Sequence, residues 1–201
     1  MREVGRGIWW WEAVHPEWTA ADAESEGWGP QVSSYAVDDG SHLLLLDPTT
    51  PPEPVAALAG ERETTIVLTC PWHARDTAQL AEKLGCRVLA PDPDSPQARE
   101  VADETFAAGD ELPLGIEVFP GMEPNDLVLW LPDQALLVAG DTLIDRGGGL
   151  EFPADWADKG MPAAQILASL QPLLELPVKF VLPTHGAPTD GAGLREALAG
   201  A

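Results

Sequence analysis

Residues 64–69, Thr-Thr-Ile-Val-Leu-Thr, constrain the fold of this chain more than any other stretch. They run apolar and β-branched without alternating, as a strand buried on both faces requires. Residues 77–84 then carry helix-forming side chains with apolar positions at 80, 81 and 84, and Gly85 stands where a helix stops. A second apolar run, 86–90, follows. Strand, helix and strand in this order predict a right-handed crossover between parallel neighbours, and so an α/β fold. Between the first strand and its helix lies Cys70-Pro71-Trp72-His73-Ala74-Arg75-Asp76, a loop rich in side chains able to do chemistry.

The flanking sequence reads mainly as hairpins. Residues 8–14 and 31–37 are strands, and Asp38-Asp39-Gly40 is a tight turn into a return strand at 42–47. His42 begins that strand as an exposed or structural residue, and His15 is a loop residue. Trp9, Trp10, Trp11 and Trp18 serve either core and edge packing or an aromatic wall beside a pocket. Residues 20–26 form a helical turn or a loop, and 55–60 a short helix. Residues 97–106 are a polar, helical connection and 109–112 a turn.

Residues 116–119, 128–131 and 135–139 are strands. The last two are joined by the turn Pro132-Asp133-Gln134 and run into Gly140-Asp141-Thr142. Residues 146–149 are a flexible loop and 162–174 an amphipathic helix. A final strand at 178–182 empties into Pro183-Thr184-His185-Gly186, before a short helix at 194–198.

Three strand ends therefore present metal-capable side chains: His73 with Asp76, then Asp141, then His185. One such ending is commonplace, since an Asp at a strand end usually caps a turn. Three in one chain suggest an assembled site. Imidazole and carboxylate are usual zinc ligands, and three protein ligands with one open position is the catalytic arrangement.

The order of these segments resembles the metallo-β-lactamase superfamily. The resemblance is carried by Ser33-Ser34-Tyr35-Ala36-Val37, Leu44-Leu45-Leu46-Asp47-Pro48 and the run from Ile66 to His73. It continues through Val118-Phe119-Pro120-Gly121, Ala139-Gly140-Asp141-Thr142 and Leu182-Pro183-Thr184-His185-Gly186. It implies a four-layer αβ/βα sandwich spanning 1–201 as a single domain, with a metal site at the edge between two sheets. The family usually carries His-X-His-X-Asp-His after the buried strand. Aligned without gaps, Cys70 and Trp72 replace its two first histidines, Ala74 the Asp and Arg75 the last His, whereas a shift brings His73 onto a His position. Met122 stands where the next His usually follows Pro-Gly.

The resemblance then implies one zinc ion rather than two, held by His73, Asp141 and His185, with Asp76 orienting the attacking water. Cys70 is either a thiolate ligand or a small core residue. Pro71 and Trp72 could also turn His73 to the surface. Arg75, permanently charged, would repel a second cation and could pair with Asp141 or Asp76 instead. Two functions follow. One is a hydrolase acting on an ester or thioester bond of a small molecule. The other is a non-catalytic, metal-free binding or scaffold protein built on a hydrogen-bonded Asp141–His185–Arg75 cluster.

Composition narrows the partners. The 201 residues carry a formal charge of −22, with 11 basic residues against 33 acidic ones. That charge opposes nucleic acid and anionic membranes, which need clustered Lys and Arg. No apolar run reaches the ~20 residues of a membrane span. The start of the chain has no signal-peptide core, so a cytoplasmic protein is expected. Cys70 and Cys86 do not make a disulfide framework. Tryptophans near the N-terminus would suit a homodimer surface.

Overall fold

The structure, a computed structural model, describes residues 1–21, 28–92, 96–157 and 161–199. Contacts within the chain resolve into two compact units, Met1–Thr105 and Phe106–Ala201.

The N-terminal unit is built on a sheet whose strands follow chain order. These are β1 (Arg2–Gly5), β2 (Ile8–Val14), β3 (Gln31–Asp38), β4 (His42–Leu46), β5 (Glu63–Val67), β6 (Arg87–Pro91) and β7 (Glu104–Phe106). The first four pair antiparallel as hairpins. β4, β5 and β6 are parallel neighbours, joined through α1 (Glu53–Ala59) and α2 (Thr77–Leu84). The crossover expected from residues 64–90 is therefore present, and α2 has the expected bounds. Gly85 ends that helix in the left-handed conformation, with φ 62°, where a side chain would be strained. Val55, Ala59 and Leu80 from the two helices pack on Leu43, Leu45, Ile66, Leu68 and Val88 of the sheet. Leu44, Leu46, Val67 and Leu89 are also buried, so the central strands are covered on both faces.

The tryptophans of β2 are absorbed into this unit. Trp11 is buried and donates its indole N–H to Thr49 Oγ1 at 3.0 Å; Trp9, Trp10 and Trp18 are half-buried. His42 bridges Asp39 and Glu63, and the His15 ring packs on Trp28, so both are structural.

The C-terminal unit holds β8 (Glu111–Leu112), β9 (Ile116–Pro120), β10 (Leu127–Leu131), β11 (Leu136–Gly140) and β14 (Phe180–Pro183), in the order β14-β11-β10-β9-β8. A small hairpin, β12 (Ile144–Asp145) and β13 (Leu150–Glu151), stands apart from that sheet. α4 (Ala163–Leu170) and α5 (Gly191–Ala199) supply Ile166, Leu170, Leu194 and Leu198 to a core with Val128, Trp130, Leu137 and Val181.

Several expected boundaries move, each for a physical reason. The helix expected over 162–174 stops at Leu170, and a 3₁₀ turn, Gln171–Glu175, follows. Pro172 lacks the N–H that the α-helix would need there. The connection at 97–106 is α3 (Pro96–Val101) followed by β7, and the turn at 109–112 contains β8. The loop 146–149 closes the β12–β13 hairpin. Of the expected 20–26 segment, residues 22–26 lie outside the described residues. Among the described residues no helix is long and apolar enough to cross a membrane.

Candidate functional site

In the N-terminal unit the parallel register aligns Leu46 with Val67 and Val67 with Leu89, so the segments after these strands leave at one edge of the sheet. Asp47 follows β4 there with φ 43°, a strained value for a residue with a side chain, and it is fully buried. Its Oδ1 accepts the Thr69 N–H at 2.8 Å. Its Oδ2 accepts the Thr69 hydroxyl at 2.6 Å and lies 3.2 Å from His73 Nδ1. The Thr69 Oγ1 also lies 3.2 Å from His73 Nδ1, so that nitrogen faces both a hydroxyl and a carboxylate. An Nδ1–H in this setting leaves the lone pair on Nε2, the form a metal ligand needs.

The 3₁₀ turn Pro71–Ala74 orients His73. Cys70 precedes it in extended conformation, and its carbonyl accepts the His73 N–H at 3.2 Å. Pro71 presets φ at the start of the turn. Successive side chains of such a turn diverge by about a third of a rotation. Trp72 accordingly points outward, 43% exposed, while His73 is 2% exposed. The alternative that Pro71 and Trp72 turn His73 to the surface is thus overturned. Cys70 is fully buried, with its Sγ within 4.8 Å of a His73 ring nitrogen.

Arg75 and Asp76 take structural bonds in the same loop. Arg75 Nη1 donates to the Asp47 and Ser33 carbonyls at 2.7 and 3.0 Å. Asp76 Oδ2 accepts both the N–H and the hydroxyl of Thr50, each at 2.7 Å.

In the C-terminal unit, β11 and β14 run parallel with Val138 opposite Leu182 and Gly140 opposite Pro183. Asp141 and His185 therefore emerge side by side, and His185 Nε2 lies 3.6 Å from Asp141 Oδ1. The same Oδ1 accepts the Thr184 hydroxyl at 2.6 Å. Beneath them, buried Asp126 accepts the Thr142 hydroxyl at 2.6 Å, and Thr142 Oγ1 accepts the Met122 N–H at 2.9 Å. Met122, in the slot where the family's next His usually stands, is a core residue of this unit.

Residue order therefore brings Asp141 and His185 together, and it places His73 and Asp76 on one loop with different duties. Asp47, Thr69, Asp126 and Thr184, which bond around these side chains, and Trp156, whose ring lies 5.5 Å from that of His185, are residues that the sequence reading did not assign. The signal was present for Asp47, a charged residue closing an all-apolar run, and for Asp126, a carboxylate directly before the apolar run 127–131. For Trp156 there was none.

The separation of 3.6 Å is decisive for the chemistry. It is too long for a hydrogen bond between those two atoms. Two ligands each about 2.0–2.1 Å from a zinc ion with near-tetrahedral angles stand about 3.3–3.5 Å apart. Asp141 and His185 thus have the donor types and nearly the spacing to share one ion.

No protein-family model and no curated protein sequence matches the chain. Solved structures match it over most of its length. A metallo-β-lactamase from Pontibacter korlensis aligns with a TM-score of 0.66 and 21% identity, covering 98% of this chain and 96% of its own. The chain has the fold of the metallo-β-lactamase superfamily. TTHA1623, solved in a di-iron-bound form, shares 28% identity at a TM-score of 0.62, over 85% of this chain and 96% of its own. The metallo-β-lactamase FIM-1 from Pseudomonas aeruginosa, in its mono-zinc form, aligns with a TM-score of 0.64 and 14% identity, over 98% of this chain and 92% of its own. The likeness to the metallo-β-lactamase fold includes the α/β class expected from residues 64–90.

Proposed function

We propose that this protein is a metal-dependent hydrolase of the metallo-β-lactamase fold that cleaves an ester or thioester-type bond in a small molecule. His73, Asp141 and His185 are its assigned ligands, and one zinc ion its assigned metal. The observation that carries this reading is the 3.6 Å spacing of Asp141 Oδ1 and His185 Nε2, close to that of two ligands on one ion. The Asp47 carboxylate on His73 Nδ1 supports it, as the partner that orients a ligating imidazole. Structures with this fold are known in mono-zinc and di-iron forms, which supports a metal in the same role.

When bound, such an ion lowers the pKa of its water toward neutrality. The protein's own part is positional. Thr184 holds the Asp141 carboxylate through Oδ1, and Thr50 holds Asp76 through Oδ2. Asp76 Oδ1 is the atom we assign to accept a proton from the attacking water. The charge of −22 favours neutral or cationic substrates over polyanions, and a cytoplasmic setting suits such a hydrolase.

Elemental analysis of protein purified without chelator, beside Asp141→Ala and His185→Ala, tests this reading. About one equivalent of metal in the wild type, lost in both variants, supports it and directs an ester and thioester screen. A wild type that takes up no metal from excess zinc rules it out.

A further inference from the structure

We infer that Trp156, backed by Arg146, is a positioning residue for His185. The inference rests on the metal reading above and extends it to residues outside the ligand set.

His185 is held at its backbone by the small hairpin. The Asp145 N–H donates to the His185 carbonyl at 2.8 Å. Gly186 packs so closely on Asp145 that a Cβ would overlap the Asp145 carbonyl, and its φ of 94° suits only glycine. Backbone anchoring does not by itself set the ring's orientation, because rotation about the last imidazole torsion is broad. Trp156 packs directly on that ring. Its ring lies 5.5 Å from the His185 ring at an interplanar angle of 79°, an edge-to-face contact.

The indole is itself fixed from the same hairpin. The Arg146 guanidinium sits 4.9 Å from the Trp156 ring centroid. Arg146 in turn is gripped by both oxygens of Asp155, with bonds of 3.0 and 3.1 Å, and has Glu151 at 3.6 Å. One hairpin thus controls His185 twice, through the Asp145 backbone and through the Arg146–Trp156 stack. This assigns a purpose to the Arg-Gly-Gly-Gly segment. Gly147 and Gly149 take φ of 98° and 102° to turn the hairpin back, so that Glu151 reaches Arg146.

The test is zinc affinity, measured by competition with a chromogenic chelator, for the wild type, Trp156→Ala, Trp156→Phe and Arg146→Met. Melting of the metal-free proteins is followed alongside. Partners that orient a ligand typically change metal affinity about 10–100-fold, so Trp156→Ala is expected to bind zinc at least tenfold more weakly. Trp156→Phe restores most of the affinity, because a ring edge remains. Arg146→Met weakens it by a smaller factor. A folded Trp156→Ala that holds zinc as tightly as the wild type overturns the inference, as does a Phe variant as weak as the Ala one. Should Trp156→Ala fail to fold, unchanged affinity in Arg146→Met overturns it. A wild type that binds no zinc defeats the proposed function itself, a result distinct from all of these.

Discussion

Asp47 and His73, far apart in sequence, meet at 3.2 Å in the buried edge of the N-terminal unit, with Thr69 bonded to the same carboxylate. Asp47→Ala strands the Thr69 N–H and leaves the Thr69 hydroxyl with His73 Nδ1, at 3.2 Å. A buried group left without its partner costs about 1–3 kcal/mol, so urea unfolding should show a loss of about that size. Zinc affinity should fall by about tenfold as His73 loses its orienting partner. An unchanged unfolding midpoint would show that the carboxylate is dispensable.

Gly121 is packed against the Asp126 carbonyl and the Thr142 hydroxyl so tightly that a Cβ would overlap both. Gly121→Ala should therefore displace the Asp126–Thr142 pair. Overpacking of this kind costs about 1–3 kcal/mol. Gly148→Ala, where a Cβ meets nothing within 4 Å, is the control. Equal melting temperatures for the two variants would contradict the packing described.

Tyr35 is the only tyrosine, and burial pushes its phenol well above the ordinary value near 10. The folded state holds this proton more tightly than the unfolded one. The resulting contribution to stability is complete below pH ~10 and declines as pH rises above it. In an alkaline titration, phenolate absorbance should appear only together with loss of circular dichroism. Phenolate formed while the dichroism is intact would disprove the burial of that ring.

Zinc should raise the melting temperature. A ligand bound only by the folded state adds about 2.7 kcal/mol at a hundredfold excess over Kd, and chelator should reverse the shift. Asp141→Ala and His185→Ala should show no shift with zinc. A shift that persists in both variants would place the metal elsewhere.

The parallel core was legible because 64–69 and 86–90 carry continuous apolar runs and Gly85 marks the helix end. β8, β12 and β13 were not, since two-residue strands have no periodicity to read. In the site, Asp141 and His185 stood out because each closes an apolar strand. Their pairing depends on a parallel register between β11 and β14 that no local pattern encodes. The inward turn of His73 was equally hidden. Trp72 and His73 are both plausible core residues, and only the 3₁₀ geometry after Cys70 decides which goes inside.

The placement of β14 has a consequence for how the protein is made. This edge strand joins β11 in parallel, across an intervening stretch that includes the small hairpin and α4. Hairpins such as β10–β11 can close as soon as they emerge from the ribosome, but a parallel partner must wait for the whole crossover. His185 is delivered by that last strand. Until it arrives, Asp141 belongs to an unfinished sheet edge. The chemistry assigned to this unit therefore waits for β14, because its two carriers cannot meet until the whole crossover from β11 has been made.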